Sequence, residues 1–250
     1  MKLLPPQVLK PWKDSSAVVR VAPFLVFLVL TSCQGQFGEE SRYWFYLVKT
    51  VVGAWLVWEM RSLVTEMRWT WSWSALAVGI GVFAGWVGLD GWYPTFAEIG
   101  RDYLYPTLRQ VGLEGWRPES SAPTPAWNPH AQFGADSGLA WLLIVARLLG
   151  STFVVPPLEE VFYRSFLYRY LAGAQFLSLP LGLWAPKPFL FTSVIFGLTH
   201  HQWLAGILCG LAYQGLVVWR QRLGDAMTAH AITNLLLGLW VVGRGAWHFW

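Results

Sequence analysis

The feature that limits this chain most is the series of apolar stretches filling nearly its whole length, each approaching the roughly 20 residues a helix needs to cross a bilayer. Seven or eight can be read, at 17–33, 43–58, 74–92, 137–155, 161–177, 188–200, 202–219 and 226–242. Charge is scarce: Lys, Arg, Asp and Glu supply 13% of the 250 residues, about half the ~25% of soluble globular domains. Such a chain cannot clothe a water-facing surface, so its natural solvent is lipid. The sequence predicts an all-α, polytopic membrane helix bundle of about eight transmembrane helices enclosing a polar intramembrane cavity. Disorder is excluded, because 55% of residues are hydrophobic and 17% aromatic, leaving far too much apolar surface unburied. Nucleic-acid binding is not expected, since the net charge of +4 comes from scattered Lys and Arg with no basic run. The two cysteines, Cys33 and Cys209, sit among apolar neighbours and offer neither a disulfide framework nor a Cys-based zinc site.

One long hydrophilic interval, 93–136, interrupts the pattern; it holds Pro118, Pro123, Pro125 and Pro129. It reads as an extramembrane loop with a short amphipathic helix near 96–113. The chain then divides into 1–136, N-terminal transmembrane helices plus this loop, and 137–250, where polar residues recur inside apolar stretches. At the N-terminus, polar residues 1–16 and the poor cleavage site Thr31-Ser32-Cys33 mark the first stretch as a retained span. Lys2, Lys10, Lys13 and Arg20 place that end in the cytoplasm by the positive-inside rule. Arg61 and Arg68 fall on the same side, and Glu39 and Glu40 on the other. Eight strict crossings, however, carry Arg220 and Arg222 to the far side, against the rule.

Ionisable side chains are costly to keep in lipid, so each one inside an apolar stretch is a functional candidate. Three groups stand out. The first is Pro156-Pro157-Leu158-Glu159-Glu160-Val161-Phe162-Tyr163-Arg164. Its prolines are expected to end one helix and open the next, which puts Glu159 and Glu160 in a first turn that favours carboxylates. Glu160 and Arg164 share a face and can pair. Glu159 points about 100° away and stays free as a candidate general base; the plain alternative is an interfacial helix start with a surface ion pair. The second group is Phe196-Gly197-Leu198-Thr199-His200-His201. Here His200 could activate water, bind metal or cap the helix, while His201 reads as structural. The third is His230-Ala231-Ile232-Thr233-Asn234, whose spacing puts His230 and Asn234 on one face, either to stabilise an oxyanion or to join two helices. A shared cavity is the cheapest way to keep all these groups from lipid. A base, a second activating group and oxyanion donors are what water-driven acyl hydrolysis needs.

The spacings Glu159-Glu160-x-x-x-Arg164, Phe196-x-x-x-His200 and His230-x-x-x-Asn234 together resemble the CPBP family, which includes the type II CAAX prenyl endopeptidases and bacterial bacteriocin-processing and immunity proteins. The likeness covers about 140–243, under half of the chain, and residues 1–136 add no motif to it. A looser likeness, through Val154-Val155-Pro156 and the abundance of tryptophan, is to CAAX-protease-like proteins found beside bacterial exosortase systems. The resemblance implies a helical catalytic core in 137–250 and an intramembrane endopeptidase. It implies that Glu159 activates water with His200, that His230 and Asn234 stabilise the oxyanion, and that Glu160 and Arg164 position the catalytic helix. No cofactor is expected on the favoured reading. Zinc is the alternative, with Glu159, His200 and His230 as ligands, although the spacing His-Glu-x-x-His is absent. The expected partners are membrane lipids and a membrane-associated peptide or protein substrate, lipidated substrates included; the expected location is the cell membrane.

Other classes compete. A non-catalytic scaffold or immunity partner would have no need to keep Glu159, His200, His230 and Asn234 in lipid. A transporter or proton relay would use such charges, but no internal repeat supports one. Arg147, Lys49 and Arg169 read as partners of an acidic residue or, equally, as snorkelling or packing residues. Trp203 is a minor candidate for lining the cavity, and Gly206 and Gly210 mark close helix packing.

Overall fold

The computed structural model describes residues 14–113 and 126–250. Lys2, Lys10, Lys13, Pro118, Pro123 and Pro125, on which parts of the sequence reading rest, lie outside the described residues. Within them no strand forms, and seven long helices account for the architecture: α1 (Val18–Ser32), α2 (Ser41–Met60), α3 (Trp73–Gly88), α4 (Gly138–Ala172), α5 (Pro186–Leu198), α6 (Trp203–Arg220) and α7 (Leu223–Arg244). Three of them, α4, α6 and α7, are both long and apolar enough to cross a membrane, while α1, α3 and α5 are shorter apolar helices. The loop after α3 contains a helical stretch at 96–110, within the region where the sequence predicts an amphipathic helix.

The sequence reading is corrected at α4. The apolar stretches 137–155 and 161–177, read as separate spans, lie on one helix of 35 residues, so the described residues hold seven long helices where about eight spans were expected. Pro156 and Pro157 do not break it. The turn ahead of them widens into a π stretch at Gly150–Val154, in which the Val155 N–H bonds the Gly150 carbonyl. A second π stretch, Val161–Leu167, follows the prolines. The wider register absorbs the missing proline donors that would have ended an ordinary α-helix.

Helix α7 is the axis of the bundle. Every residue from Leu223 to Ala231 is buried, as in a helix enclosed on all sides. Backbones approach closely where side chains are absent. A Cβ on Gly79 of α3 would stand 2.7 Å from the Ala229 carbonyl oxygen of α7, and one on Gly206 of α6 would stand 2.9 Å from Gly197 Cα of α5. Gly210 likewise faces the Ser193 backbone at 2.8 Å. Gly206 and Gly210 therefore do mark packing inside the bundle.

Two clusters of polar contacts define the ends. At one end Glu66, between α2 and α3, accepts from Arg20 at 2.9 Å, from Arg169 at 3.0 Å and from the Ser165 hydroxyl. Beside it the buried Asp225 accepts from Ser72 and from Arg222 at 2.8 Å, and Thr228 donates to the Thr70 carbonyl at 2.9 Å. At the other end Asp90 meets His248 at 2.8 Å and Gln202 at 3.4 Å, and Trp203 donates to the Pro94 carbonyl at 2.9 Å. Trp203 thus pins residues 93–96, stacking near Tyr93 and Phe96, and does not line the cavity described below. With α4 unbroken, Arg220 and Arg222 share an end with Arg61 and Arg68, which removes the charge conflict that eight crossings would create.

Glu66 makes this end sensitive to acid. Its partial burial would raise the carboxyl pKa, but the Ser165 hydroxyl and the Arg20 charge outweigh that and hold it below the usual carboxylate value. A carboxyl with a depressed folded-state pKa stabilises the fold above its unfolded pKa of about 4.3, and that contribution disappears as pH falls through the folded value. At pH 7 Glu66→Gln is expected to cost about 1–3 kcal/mol. Melting temperatures of wild type and variant should therefore converge as pH is lowered below about 4.

Candidate active site

The three motifs come together around α4. Glu160 is fully buried and receives two partners: Arg164 Nε at 3.2 Å, one turn along α4, and His230 Nδ1 at 2.9 Å from α7. A carboxylate can only accept, so His230 carries its proton on Nδ1, and the ring is held edge-on to α4 with Nε2 turned away. Tyr213 of α6 stacks on the other side of the imidazole, with centroids 5.1 Å apart. Arg164 also lies over the Phe196 ring, 4.2 Å from its centroid, which ties the first motif to the second.

His200 follows the C-terminus of α5. Its Nδ1 stands 2.7 Å from the Phe196 carbonyl oxygen, so this nitrogen must be the donor, which leaves Nε2 with its lone pair. Trp86 meets the imidazole edge to face at 5.5 Å. Within the described residues, Glu159 differs from its neighbour in having no hydrogen bond or ion pair at all. Among the described residues its Oε2 is buried without a hydrogen-bond partner, and the side chain lines a cavity of about 350 Å³ together with His200, His230 and Asn234. All four residues singled out by sequence as catalytic thus border one space. Glu160 and Arg164 stand behind it.

Asn234 has a task the sequence does not reveal. Its Nδ2 donates to the Ser151 carbonyl at 2.8 Å. In the π register of 150–154 that carbonyl would be bonded by the N–H five residues on, and residue 156 is a proline with no N–H to give. The Asn234 amide fills the gap from α7, which keeps α4 whole and sets the amide at the cavity wall. The expectation that Glu159 and Glu160 occupy a helix first turn is corrected by the same observation, since α4 runs straight through them.

Two further residues that sequence reasoning had set aside as packing groups, Lys49 of α2 and Arg147 of α4, line the same cavity. Their signal was present as intramembrane charge, but nothing in their spacing links them to the motifs. For zinc, the test is whether donors converge. Among the described residues no group of three or more His, Cys, Asp or Glu side chains is placed to hold a metal ion, so Glu159, His200 and His230 do not form a preformed ligand set.

Replacing Asn234 should expose its structural share. Asn234→Ala leaves the Ser151 carbonyl unpaired and is expected to lower stability by about 1–3 kcal/mol. Asn234→Asp, which sets a second acceptor against the carbonyl, should be at least as damaging. Thermal denaturation in detergent reads both; two unchanged melting temperatures would remove the contact.

Residues 140–236 match a family model described as type II CAAX prenyl endopeptidase Rce1-like. The matched span contains Glu159, Glu160, Arg164, His200, His230 and Asn234, and it supports membership of the CPBP family. No match was found among curated proteins or among solved structures.

Proposed function

We propose that this chain, as a member of the CPBP family, is a multi-pass intramembrane endopeptidase of the cell membrane that hydrolyses a peptide bond in or next to the bilayer. The observation that carries this reading is the contrast between the two adjacent glutamates. Glu160 accepts a hydrogen bond from His230 on Oε1 and holds an ion pair with Arg164 through Oε2, whereas Glu159, among the described residues, has neither a hydrogen bond nor an ion pair and borders the cavity. A buried carboxylate without a partner is expensive, and a base awaiting water is the reason to keep one.

In this mechanism Glu159 takes a proton from a water molecule, and the resulting hydroxide attacks the scissile carbonyl carbon. His200, its Nδ1 proton committed to Phe196, uses the Nε2 lone pair to orient the same water. The tetrahedral oxyanion receives hydrogen bonds from the second amide hydrogen of Asn234 and from His230 Nε2, which donates when the ring carries a second proton while Nδ1–H stays on Glu160. As the C–N bond breaks, Glu159 returns the proton to the leaving amine, which regenerates the carboxylate. Nothing in this cycle requires a metal ion. Its substrate is a membrane-associated peptide or protein, lipidated substrates included, and the lipid-facing Leu28 at the cavity edge supplies a route from the bilayer.

The test uses purified protein in lipid nanodiscs with a quenched-peptide library containing lipidated members. Glu159→Gln and His200→Ala are expected to lose about 10²- to 10⁴-fold in kcat, with cleavage by wild type unaffected by a chelator. A Glu159→Gln variant that keeps the wild-type rate overturns the reading, and chelator-sensitive cleavage restores the zinc alternative.

The direction of access belongs to the same proposal. Arg20, Arg61, Arg68, Arg169, Lys187, Arg220 and Arg222 gather toward the end held by Glu66 and Asp225, which the positive-inside rule assigns to the cytosol. The exposed wall residues His201 and His248 lie at the opposite end. The cavity then opens on the face away from the cytosol. In a background lacking Cys33 and Cys209, a cysteine at position 201 should react with a membrane-impermeant maleimide applied to intact cells, and one at position 221 should react only after permeabilisation. The reverse pattern would turn the cavity toward the cytosol.

A further inference from the structure

Most buried cations in this bundle have a carboxylate. Arg20 and Arg169 share Glu66, and Arg164 holds Glu160. Lys49 breaks this rule, as does the half-buried Arg147, and both stand on the wall of the cavity that Glu159 lines. Lys49 is 7% exposed. Its Nζ donates to Thr31 Oγ1 at 3.1 Å and sits over the rings of Phe27 and Tyr46, at 4.9 and 4.6 Å. Arg147 is held by aromatic faces: Tyr46 at 4.7 Å, Trp127 at 4.5 Å and Trp250 at 5.2 Å from its Cζ. The Tyr46 ring is common to the two. Among the described residues no carboxylate lies within 4.0 Å of either cation.

Cation–π contacts return about 0.5–2 kcal/mol each, against a penalty of several kcal/mol for an uncompensated buried ion. Lys49 bears that penalty, and the half-buried Arg147 sets a second charge of the same sign beside it. Their hydrogen-bonding capacity is also unspent. One of three ammonium protons is used on Thr31, and the planar guanidinium fork, suited to bidentate contact with a carboxylate, has only ring faces around it. Aromatic packing fixes the fork while leaving its N–H groups without acceptors. That arrangement suits an anion that arrives with the substrate.

We propose that Lys49 and Arg147 form an anion subsite that binds a carboxylate of the peptide substrate and so sets which bond reaches Glu159. This rests on the peptidase reading. A peptide offers a carboxylate from two sources, its free C-terminus or an acidic side chain near the scissile bond, and the same fork fits either.

The experiment compares three quenched peptides of one cleavable sequence in phosphatidylcholine nanodiscs, which add no anionic lipid. The first ends in a free carboxylate, the second in an amide, and the third in an amide with a Glu placed near the bond. Wild type is expected to favour the first or the third over the second, which identifies the source. Lys49→Met and Arg147→Gln are each expected to lower kcat/KM for the favoured peptide by about 10- to 100-fold, the loss of one charge-assisted hydrogen bond, and to leave the amide peptide nearly unchanged. Equal cleavage of all three by wild type, or equal losses on all three in the variants, overturns the subsite.

Binding separates this proposal from the peptidase reading. In Glu159→Gln protein, titration with the same peptides is followed by tryptophan fluorescence, for which Trp127 and Trp250 on Arg147 are local reporters. Tighter binding of a carboxylate peptide that is lost in Glu159→Gln/Arg147→Gln supports the subsite even where wild type cleaves nothing; indifference to the carboxylate removes it. Folding is controlled by thermal denaturation. Lys49→Met discards an unpaired buried charge and should melt no lower than wild type, so a steep drop would reassign Lys49 to holding the fold.

Discussion

Everything in the candidate site leans on one buried carboxylate. Glu160 has no exposed surface, and it joins Arg164 on its own helix to His230 on α7. A charge so placed is tolerated only while both partners remain, because removing one leaves an uncompensated ion in a dry interior. The coupling extends beyond the pair. Arg164 rests on the Phe196 ring, and the Phe196 carbonyl holds His200. The three short motifs, about 70 residues apart at their extremes in sequence, are therefore one physical object in which each fixes the rotamer of the next. Their order in the chain only reflects which helices bring them together.

Much of this was legible in the sequence and some was not, for identifiable reasons. Intramembrane polar residues identify themselves by their cost, so Glu159, Glu160, Arg164, His200, His230 and Asn234 could be singled out without a structure. Gly206 and Gly210 were likewise readable, since a small residue every fourth position has few uses other than close approach. The continuity of α4 was not readable. Two prolines in a row are the strongest helix-ending signal available, and the register that accommodates them depends on an amide from a helix some eighty positions later. The partnership of Glu160 with His230 was hidden in the same way: four-residue spacing exposes Arg164 as a partner, while contact across helices leaves no periodic trace. Lys49 and Arg147 were seen and set aside, because a cation in an apolar helix looks the same whether it snorkels or faces a cavity.

The charges sort by position and by pairing. Several at the two ends are knotted into acidic centres, Glu66 and Asp225 at one and Asp90 at the other, where Arg20, Arg169, Arg222 and His248 each meet a carboxylate. Those beside the cavity are left incomplete: Glu159 lacks a donor, and Lys49 and Arg147 lack an acid. The incompleteness beside the cavity is of both signs and directed into one space.

The two adjacent glutamates carry this logic to its smallest scale. They share residue type, helix and neighbourhood, and differ by about 100° of rotation. That rotation turns Glu160 toward α7, where His230 donates to it, and Glu159 toward the cavity, where nothing competes for its lone pairs. Environment rather than chemistry divides the roles, as it does wherever two carboxyl groups work side by side. The π stretches on either side of Val155–Glu160 are part of the same device. By letting the chain pass through Pro156 and Pro157 without a break, they keep both glutamates on a rigid helix in the middle of the bundle. Were the helix broken there, as the sequence suggests, the pair would sit on a helix end with free N–H groups to bond. Glu159 would then have donors within reach, and its carboxylate would be taken up by the backbone.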